Sequence, residues 1–124
     1  MISEDYISYE TAKLLKEKGF DEFCYYYYME NGRLKLTNWD KEHNFCPSPT
    51  VQMVVKWLRE KHNLAIATYL TRGGWRSGVS RIKFNGEGFI VDIIDGIDDG
   101  NIPNCDTYEQ ACESAIKYCL ENLI

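Results

Sequence analysis

Apolar residues recur at helical spacing after Ser48 and at strand spacing after Asn63. Ser48 offers a hydroxyl group to cap a helix, and Pro49 suits the first helical position because it lacks an N–H group. Asn63 tolerates the left-handed backbone that ends many helices. The apolar stripe of this central helix is formed by Val51, Val54, Val55 and Leu58, with Met53 and Trp57 beside it. The alternation that follows predicts a strand over 64–71, and we expect the helix to lie on the sheet that contains this strand.

Two further helices are predicted near the ends of the chain. The first covers 8–18, with Ser8 as its cap and Gly19 at its left-handed end. The last runs from about Thr107 to Asn122 and carries an apolar stripe along one side.

The segment 23–39 carries the signal for a β-hairpin. The dipeptide Asn31–Gly32 lies between two β-rich runs, which is the pattern of a type I′ turn. That turn places Tyr28 opposite Lys35 and assigns the other residues to two faces. The better core face carries Phe23, Tyr25, Tyr27, Met29, Leu34 and Leu36, and the second face carries Cys24, Tyr26, Tyr28, Lys35, Thr37 and Trp39.

The rest of the chain alternates between polar connections and strands. Residues 40–47 are a polar connection, and 72–78 are a flexible turn rich in Gly and Arg. In the strand predicted over 79–84 the apolar residues do not share one parity, which indicates a bulge or a strand with two apolar sides. A turn over 85–88 then leads to a further strand over 89–94.

The predicted order of elements is α-β-β-α-β-β-β-α. Short connections favour antiparallel pairing, so the fold class is α+β, with one antiparallel sheet of about five strands and three helices on one face. A length of 124 residues and an apolar content of 44% are those of a single domain over 1–124 with its own core. The sequence leaves open whether the hairpin joins the main sheet.

Composition and charge limit the cellular compartment and the classes of partner that we expect. The formal net charge of −5 disfavours attraction of nucleic acid or anionic membrane to the whole surface. No apolar run approaches the length of a membrane span, and the acidic N-terminus lacks the features of a signal peptide, so we expect a cytoplasmic protein without membrane contact. The five cysteines include no CxxC pair, which favours reduced, buried thiols over a disulfide framework.

The second face of the hairpin is the leading candidate for a binding site. Tyr26, Tyr28 and Trp39 would stack on bases or other flat groups. Lys35, with Arg33 beside the turn, would meet phosphates. The alternative is that a helix, the connection after the hairpin or a second copy of the chain covers this face, because an uncovered group of aromatic side chains is rare on monomers.

The turn over 72–78 is the second candidate. Arg72, Trp75 and Arg76 lie among glycines, which would let the backbone approach a phosphate that the arginines clamp. The pattern does not match the P-loop, which ends in Gly-Lys-Ser/Thr. The alternative is a hairpin turn with solvated arginines.

Metal and catalytic sites have less support. The loop over 95–106 loosely resembles an EF-hand, but its third position is Ile97, whose side chain cannot bind calcium. No GxSxG or HExxH motif is present, so an enzyme is the least favoured class and we predict no catalytic residue, metal or cofactor. A zinc site is the remaining alternative, on weak spacing, from His43 and Cys46 with Cys24 or Cys105.

Three segments together, AKLLKEKGFDE, PTVQMVVKWLREKHNL and TYEQACESAIKYCLENLI, resemble a group of small uncharacterised proteins of gut-bacterial chromosomes, prophages and phages. The resemblance covers most of the chain. It implies an accessory protein of a mobile element and brings no activity with it.

The order of elements from 48 to 123 is also similar to that of the double-stranded RNA-binding domain. That family places lysines at the start of its last helix, where they touch phosphates across a groove. The corresponding residues here are Thr107, Tyr108, Glu109 and Gln110, and this departure argues against duplex RNA binding by that route.

The sequence therefore predicts a small cytoplasmic binding module that acts on a protein partner or as a homodimer. The alternative is a single-stranded nucleic-acid binder that uses the hairpin face and the Arg/Gly turn. The ligand, the partner and the oligomeric state are left open.

Overall fold

The computed structural model describes residues 5–22, 24–36, 46–95 and 102–124. These residues form three helices and six strands in the order α-β-β-β-α-β-β-β-α. The predicted α+β class is confirmed, but the single sheet of about five strands is wrong, because the strands form two separate three-stranded antiparallel sheets. The chain divides into two compact units, Met1–Val51 and Gln52–Ile124.

In the first unit, helix α1 (Tyr9–Glu17) forms where the sequence predicts it. The Ser8 side chain accepts a hydrogen bond of 3.4 Å from the backbone N–H of Thr11, so the predicted cap is confirmed. Gly19 has a φ of +90°, the left-handed conformation expected at the end of this helix. Phe20 then folds back and is buried, with its N–H bonded to the carbonyl of Leu15.

The first sheet has the order β2-β1-β3, built from β1 (Tyr26–Tyr28), β2 (Leu34–Leu36) and β3 (Cys46–Pro47). The hairpin is confirmed, but its predicted register is wrong: Tyr28 lies opposite Leu34 instead of Lys35. The cause is the turn, in which Gly32 has a φ of +82° and donates a hydrogen bond to the carbonyl of Met29. The loop therefore has three residues instead of two, and the pairing shifts by one residue.

The predicted cap of the central helix is also wrong. Ser48 continues the ladder of β3, and its backbone N–H donates to the carbonyl of Tyr26 at 2.9 Å. The helix begins three residues later, at Val51, whose N–H donates to the carbonyl of Asp5 at 2.9 Å. Long-range backbone pairing thus replaces the local cap that the sequence suggests.

Helix α2 (Val51–His62) ends as predicted, because Asn63 has a φ of +55°. The predicted strand follows directly as β4 (Leu64–Thr71). The side chain of Gln52 shares hydrogen bonds with Tyr108 and Cys112, which places the start of α2 beside the start of the last helix. The buried side chains of α2 are Val51, Val54, Val55, Trp57 and Leu58.

The second sheet has the order β4-β5-β6, in which β5 covers Gly74–Phe84 and β6 covers Phe89–Asp95. The predicted turn over 72–78 shrinks to Arg72 and Gly73, because β5 begins five residues earlier than the strand predicted from 79. A shift of the β5–β6 register between Val79 and Ser80 confirms the predicted bulge.

Helix α3 (Tyr108–Asn122) is capped by Thr107, whose hydroxyl oxygen accepts a hydrogen bond from the N–H of Gln110 at 3.1 Å. It packs against β4 and β5 through a stripe of small and apolar side chains. The buried members of that stripe are Ala111, Cys112, Ala115, Ile116, Cys119 and Leu120. Among the described residues, every helix is too short or too polar to cross a bilayer.

Candidate protein-interaction surface

Helix α3 packs on one face of the second sheet, against β4 and β5, and does not cover the other face. The Thr68 hydroxyl lies 3.2 Å from the Cys112 sulfur, and the Trp75 ring meets the Tyr108 ring edge-on at 5.5 Å. Side chains alternate along a strand, so every second residue counted from Thr68 in β4, and from Trp75 in β5, lies on the side of the sheet that faces α3. We call this side the helix side. The opposite side, here called the open face, carries Ala65, Ala67, Tyr69 and Thr71 of β4, Arg76, Ser80, Ile82 and Phe84 of β5, and Phe89, Val91 and Ile93 of β6.

The open face exposes a contiguous group of large apolar side chains beside the turn between β5 and β6. Phe84 pairs with Phe89, Ile82 pairs with Val91, and Ser80 pairs with Ile93. The rings of Phe84 and Phe89 lie 5.5 Å apart. We call four of these residues the apolar patch, and their exposed fractions are 69% for Phe84, 73% for Phe89, 58% for Val91 and 71% for Ile93.

A patch of this size is comparable with the largest apolar patch of a typical monomer. With about 150–250 Å² for a large side chain, the exposed fractions correspond to on the order of 500 Å² of apolar surface. That value lies at the upper end of the patches found on typical monomers, and such patches are often sites of contact with another molecule.

The apolar patch also adjoins an edge of the sheet. In the described part of the chain β6 pairs only with β5. The N–H of Asn85 donates to the carbonyl of Gly88 at 3.1 Å, which marks this pair as hydrogen-bonded. Hydrogen-bonded and non-hydrogen-bonded pairs alternate along an antiparallel ladder. The backbone N–H and C=O groups of Phe89, Val91 and Ile93 therefore point away from β5, toward the edge.

The electrostatics of the open face favour an apolar partner over a charged one. Arg76, next to Tyr69, is the one charged residue among the open-face side chains that the structure describes. On the helix side, Lys83 and Asp92 form an exposed ion pair at 3.9 Å. An anionic polymer would thus find a single cation on this face, whereas an apolar surface would meet little charge that needs desolvation.

The aromatic residues predicted to form the binding site instead pack within the first unit. The Tyr28 hydroxyl donates a hydrogen bond of 2.7 Å to the carbonyl of Ile7, and the Tyr28 ring lies 5.3 Å from that of Tyr9. The Tyr26 ring meets Tyr6 edge-on at 4.9 Å. Tyr26 and Tyr28 are half-buried, so much of each ring is engaged by the chain itself.

The remaining members of that predicted site do not join these rings. Lys35 lies opposite Tyr27, and its side chain is therefore on the other side of the hairpin from Tyr26 and Tyr28. Trp39 lies outside the described residues. The predicted aromatic and basic face is not assembled by the observed register.

The residues of the predicted Arg/Gly site do not all lie on one face. Arg72 is exposed in the turn, whereas Trp75 and Arg76 are consecutive residues of β5. Trp75 points to the helix side, where it packs against Tyr108, and Arg76 points to the open face. Consecutive strand residues face opposite sides, so Trp75 does not share a face with Arg76.

The described residues bring no three side chains of His, Cys, Asp or Glu close enough to hold a metal ion. His43 and residues 96–101 of the EF-hand-like loop lie outside the described part of the chain. All five cysteines are free thiols, as predicted, and Cys105 is half-buried while the others are buried. Burial raises the pKa of Cys24 to about 12, with a smaller contribution from the charge of Glu22. Burial also raises the pKa of Cys119 to about 12, so both thiols are poor nucleophiles at neutral pH.

Sequence reasoning placed the strand over 89–94 correctly but did not identify it as a contact surface. A signal was present: five of the six residues in FIVDII are apolar, so both parities are apolar. Such runs are typical of strands that are covered on both faces. In this structure the run lies in a strand that pairs on one side only among the described residues, so its apolar side chains are exposed.

No protein-family model, curated protein or solved structure matches this chain.

Proposed function

We propose that this protein is a small interaction module that self-associates through the apolar patch. The observation that carries the proposal is the exposure of Phe84, Phe89, Val91 and Ile93 on one face of one hairpin. The patches of two copies together present on the order of 1,000 Å² of apolar surface, and association would remove from water the part of it that lies at the contact. Hydrophobic burial is the dominant favourable term in most such associations.

The resemblance to small proteins of prophages and phages supports an accessory role in a mobile element. An accessory factor that acts by contact needs a recognition surface and no catalytic site. The single-stranded nucleic-acid alternative has less support, because Tyr26 and Tyr28 pack within their own unit and the open face has one described cation, Arg76.

The test is the molar mass in solution, measured by light scattering over about a hundredfold range of protein concentration. We expect the mass of the wild-type protein to rise above the 14.5 kDa of a single chain. The variant Phe89→Thr, which keeps strand propensity but removes a patch side chain, should stay at the mass of one chain over most of this range.

Leu70→Thr is the matched control. Leu70 is 65% exposed, but it lies on the helix side of β4, away from the patch, so its variant should associate as the wild-type protein does. The proposal would be contradicted if the wild-type protein stayed at 14.5 kDa at every concentration. It would also be contradicted if Leu70→Thr weakened association as strongly as Phe89→Thr.

A further inference from the structure

We propose that the association described above is an edge-to-edge pairing of β6 with β6 of a second copy, with Val91 opposite Val91 of that copy. The β4-β5-β6 sheet of one copy and the same sheet of the second copy would then form one antiparallel six-stranded sheet. This inference rests on the proposed self-association and specifies its geometry.

The backbone of β6 is oriented to pair with a further strand. Phe89, Val91 and Ile93 each direct an N–H and a C=O group toward the edge of the sheet, as the alternation from the Asn85–Gly88 pair requires. Among the described residues no strand pairs with this row, and an open row of this kind is a template for another strand. Between Phe89 and Ile93 the strand carries no Lys and no Pro, which are common devices against pairing at an edge.

One register satisfies all of these backbone groups. With Val91 opposite its own copy, Phe89 lies opposite Ile93 of the second copy, and Ile93 lies opposite its Phe89. All three outward residues of each strand then form hydrogen-bonded pairs. The register centred on Ile90 would bond only Phe89 and Val91, and so leaves the backbone groups of Ile93 unpaired.

The charge of Asp92 favours the same register. A register centred on Asp92 would place Asp92 directly opposite Asp92 of the second copy, and like charges in that position are destabilising. The register centred on Val91 instead places Asp92 opposite Ile90 of the second copy. Asp92 also keeps Lys83 of its own chain as an ion-pair partner at 3.9 Å.

The side chains of the open face also form favourable pairs in this register. The two copies are related by a twofold axis perpendicular to the sheet, so their open faces lie on the same side of the joined sheet. Phe89 then packs beside Ile93 of the second copy and Val91 beside Val91, which are the aromatic–β-branched and β-branched pairs that stabilise sheets. The bulge near Ile94 limits the regular ladder to Phe89–Ile93.

The experiment is disulfide cross-linking of single cysteine substitutions under mild oxidation. Opposed residues of a hydrogen-bonded pair have Cα atoms about 5.5 Å apart, within the reach of a disulfide. Val91→Cys should therefore give a covalent dimer that reductant dissolves. In the proposed register the Cα atoms of Ile90→Cys, or of Asp92→Cys, lie about 8 Å from those of the second copy, beyond that reach.

We expect Val91→Cys to cross-link at least about tenfold faster than either neighbouring variant, because only its thiols meet within bonding distance. The wild-type protein measures any background from the five native thiols. The mass of each reduced variant is measured in parallel, and circular dichroism checks that each is folded.

The outcomes separate the two proposals. Fastest cross-linking by Ile90→Cys or Asp92→Cys would overturn the register. A reduced dimer without cross-linking at any of the three positions would overturn edge pairing while self-association stands. A wild-type protein that remains a monomer would remove both.

Discussion

The hydroxyl group of Tyr28 donates a hydrogen bond of 2.7 Å to the backbone carbonyl of Ile7. Tyr28 lies in the middle of the tyrosine-rich hairpin, and Ile7 is a fully buried residue just before α1. The bond fixes the segment that leads into α1 to the hairpin. A side chain whose type and setting suggest ligand recognition therefore serves the packing of its own unit.

Tyr28→Phe should lower the free energy of unfolding by about 1 kcal/mol, because the carbonyl of Ile7 loses its donor while the ring remains. Urea denaturation followed by circular dichroism measures this change. Tyr69→Phe is the control, since the structure shows no hydrogen bond of the Tyr69 hydroxyl with any described residue, and its unfolding curve should match that of the wild-type protein. Equal losses in both variants would contradict the role given to Tyr28.

Thr68→Val should cost about 1–3 kcal/mol, because it leaves buried polar groups without a partner. The Thr68 hydroxyl lies 2.6 Å from that of Ser77, which is completely buried, and 3.2 Å from the sulfur of Cys112. The double variant Thr68→Val with Ser77→Ala should recover part of this loss, since it removes both hydroxyl groups. Chemical denaturation of the three proteins gives the comparison, and a double variant less stable than Thr68→Val would contradict this account.

Gly74→Ala should destabilise the protein by about 2 kcal/mol or more, through backbone strain and a clash. Gly74 has a φ of +122°, and a Cβ atom there would lie 2.7 Å from the carbonyl oxygen of Cys105. Gly88→Ala is the matched control, because a Cβ atom at Gly88 meets no atom within 4 Å. The two midpoints of thermal unfolding test this, and equal midpoints would show that the approach of Cys105 to Gly74 imposes no constraint.

The free energy of unfolding should fall as the pH rises above 9.0, the ordinary pKa of a cysteine thiol. Burial raises the pKa of Cys24 and Cys119 to about 12 in the folded protein. Between these values the thiols of the unfolded chain ionise while the folded ones stay protonated, which favours unfolding. The stabilisation is complete below pH 9.0 and is lost as the pH rises toward 12.

Urea denaturation at about pH 8 and about pH 9.5 measures this fall below the range in which tyrosines titrate strongly. A variant with Cys24→Ala and Cys119→Ala should show a smaller fall, whatever its stability at the lower pH. An unchanged fall would assign the pH dependence to other groups.

Local signals in the sequence were read correctly where a single turn of backbone decides the structure. Ser8 caps its helix, and Gly19 and Asn63 adopt the left-handed conformations expected of them. Each depends on atoms within about four residues along the chain. The bulge beside Val79 was also visible, as a break in the alternation of apolar residues.

The errors occurred where partners distant in the sequence compete with a local pattern. Ser48 has the right side chain for a cap, but pairing of Cys46–Pro47 with β1 draws its backbone into a sheet. The glycines around Trp75 suggest a loop, but pairing with β4 extends β5 through them to Gly74. A local propensity of about 1 kcal/mol is readily outweighed by a ladder of hydrogen bonds and packed side chains.

The sequence by itself determined the three helices, the α+β class and the free state of the buried thiols. These follow from periodicity, end signals and composition, which require no knowledge of distant contacts. Only the tertiary structure decided that the strands form two sheets, that Tyr26 and Tyr28 are engaged within their own unit, and that β6 exposes its apolar side chains. A strand has the same apolar residues in the sequence whether it lies at the centre of a sheet or at its edge. Pairing between distant segments decides where in the sheet the strand lies.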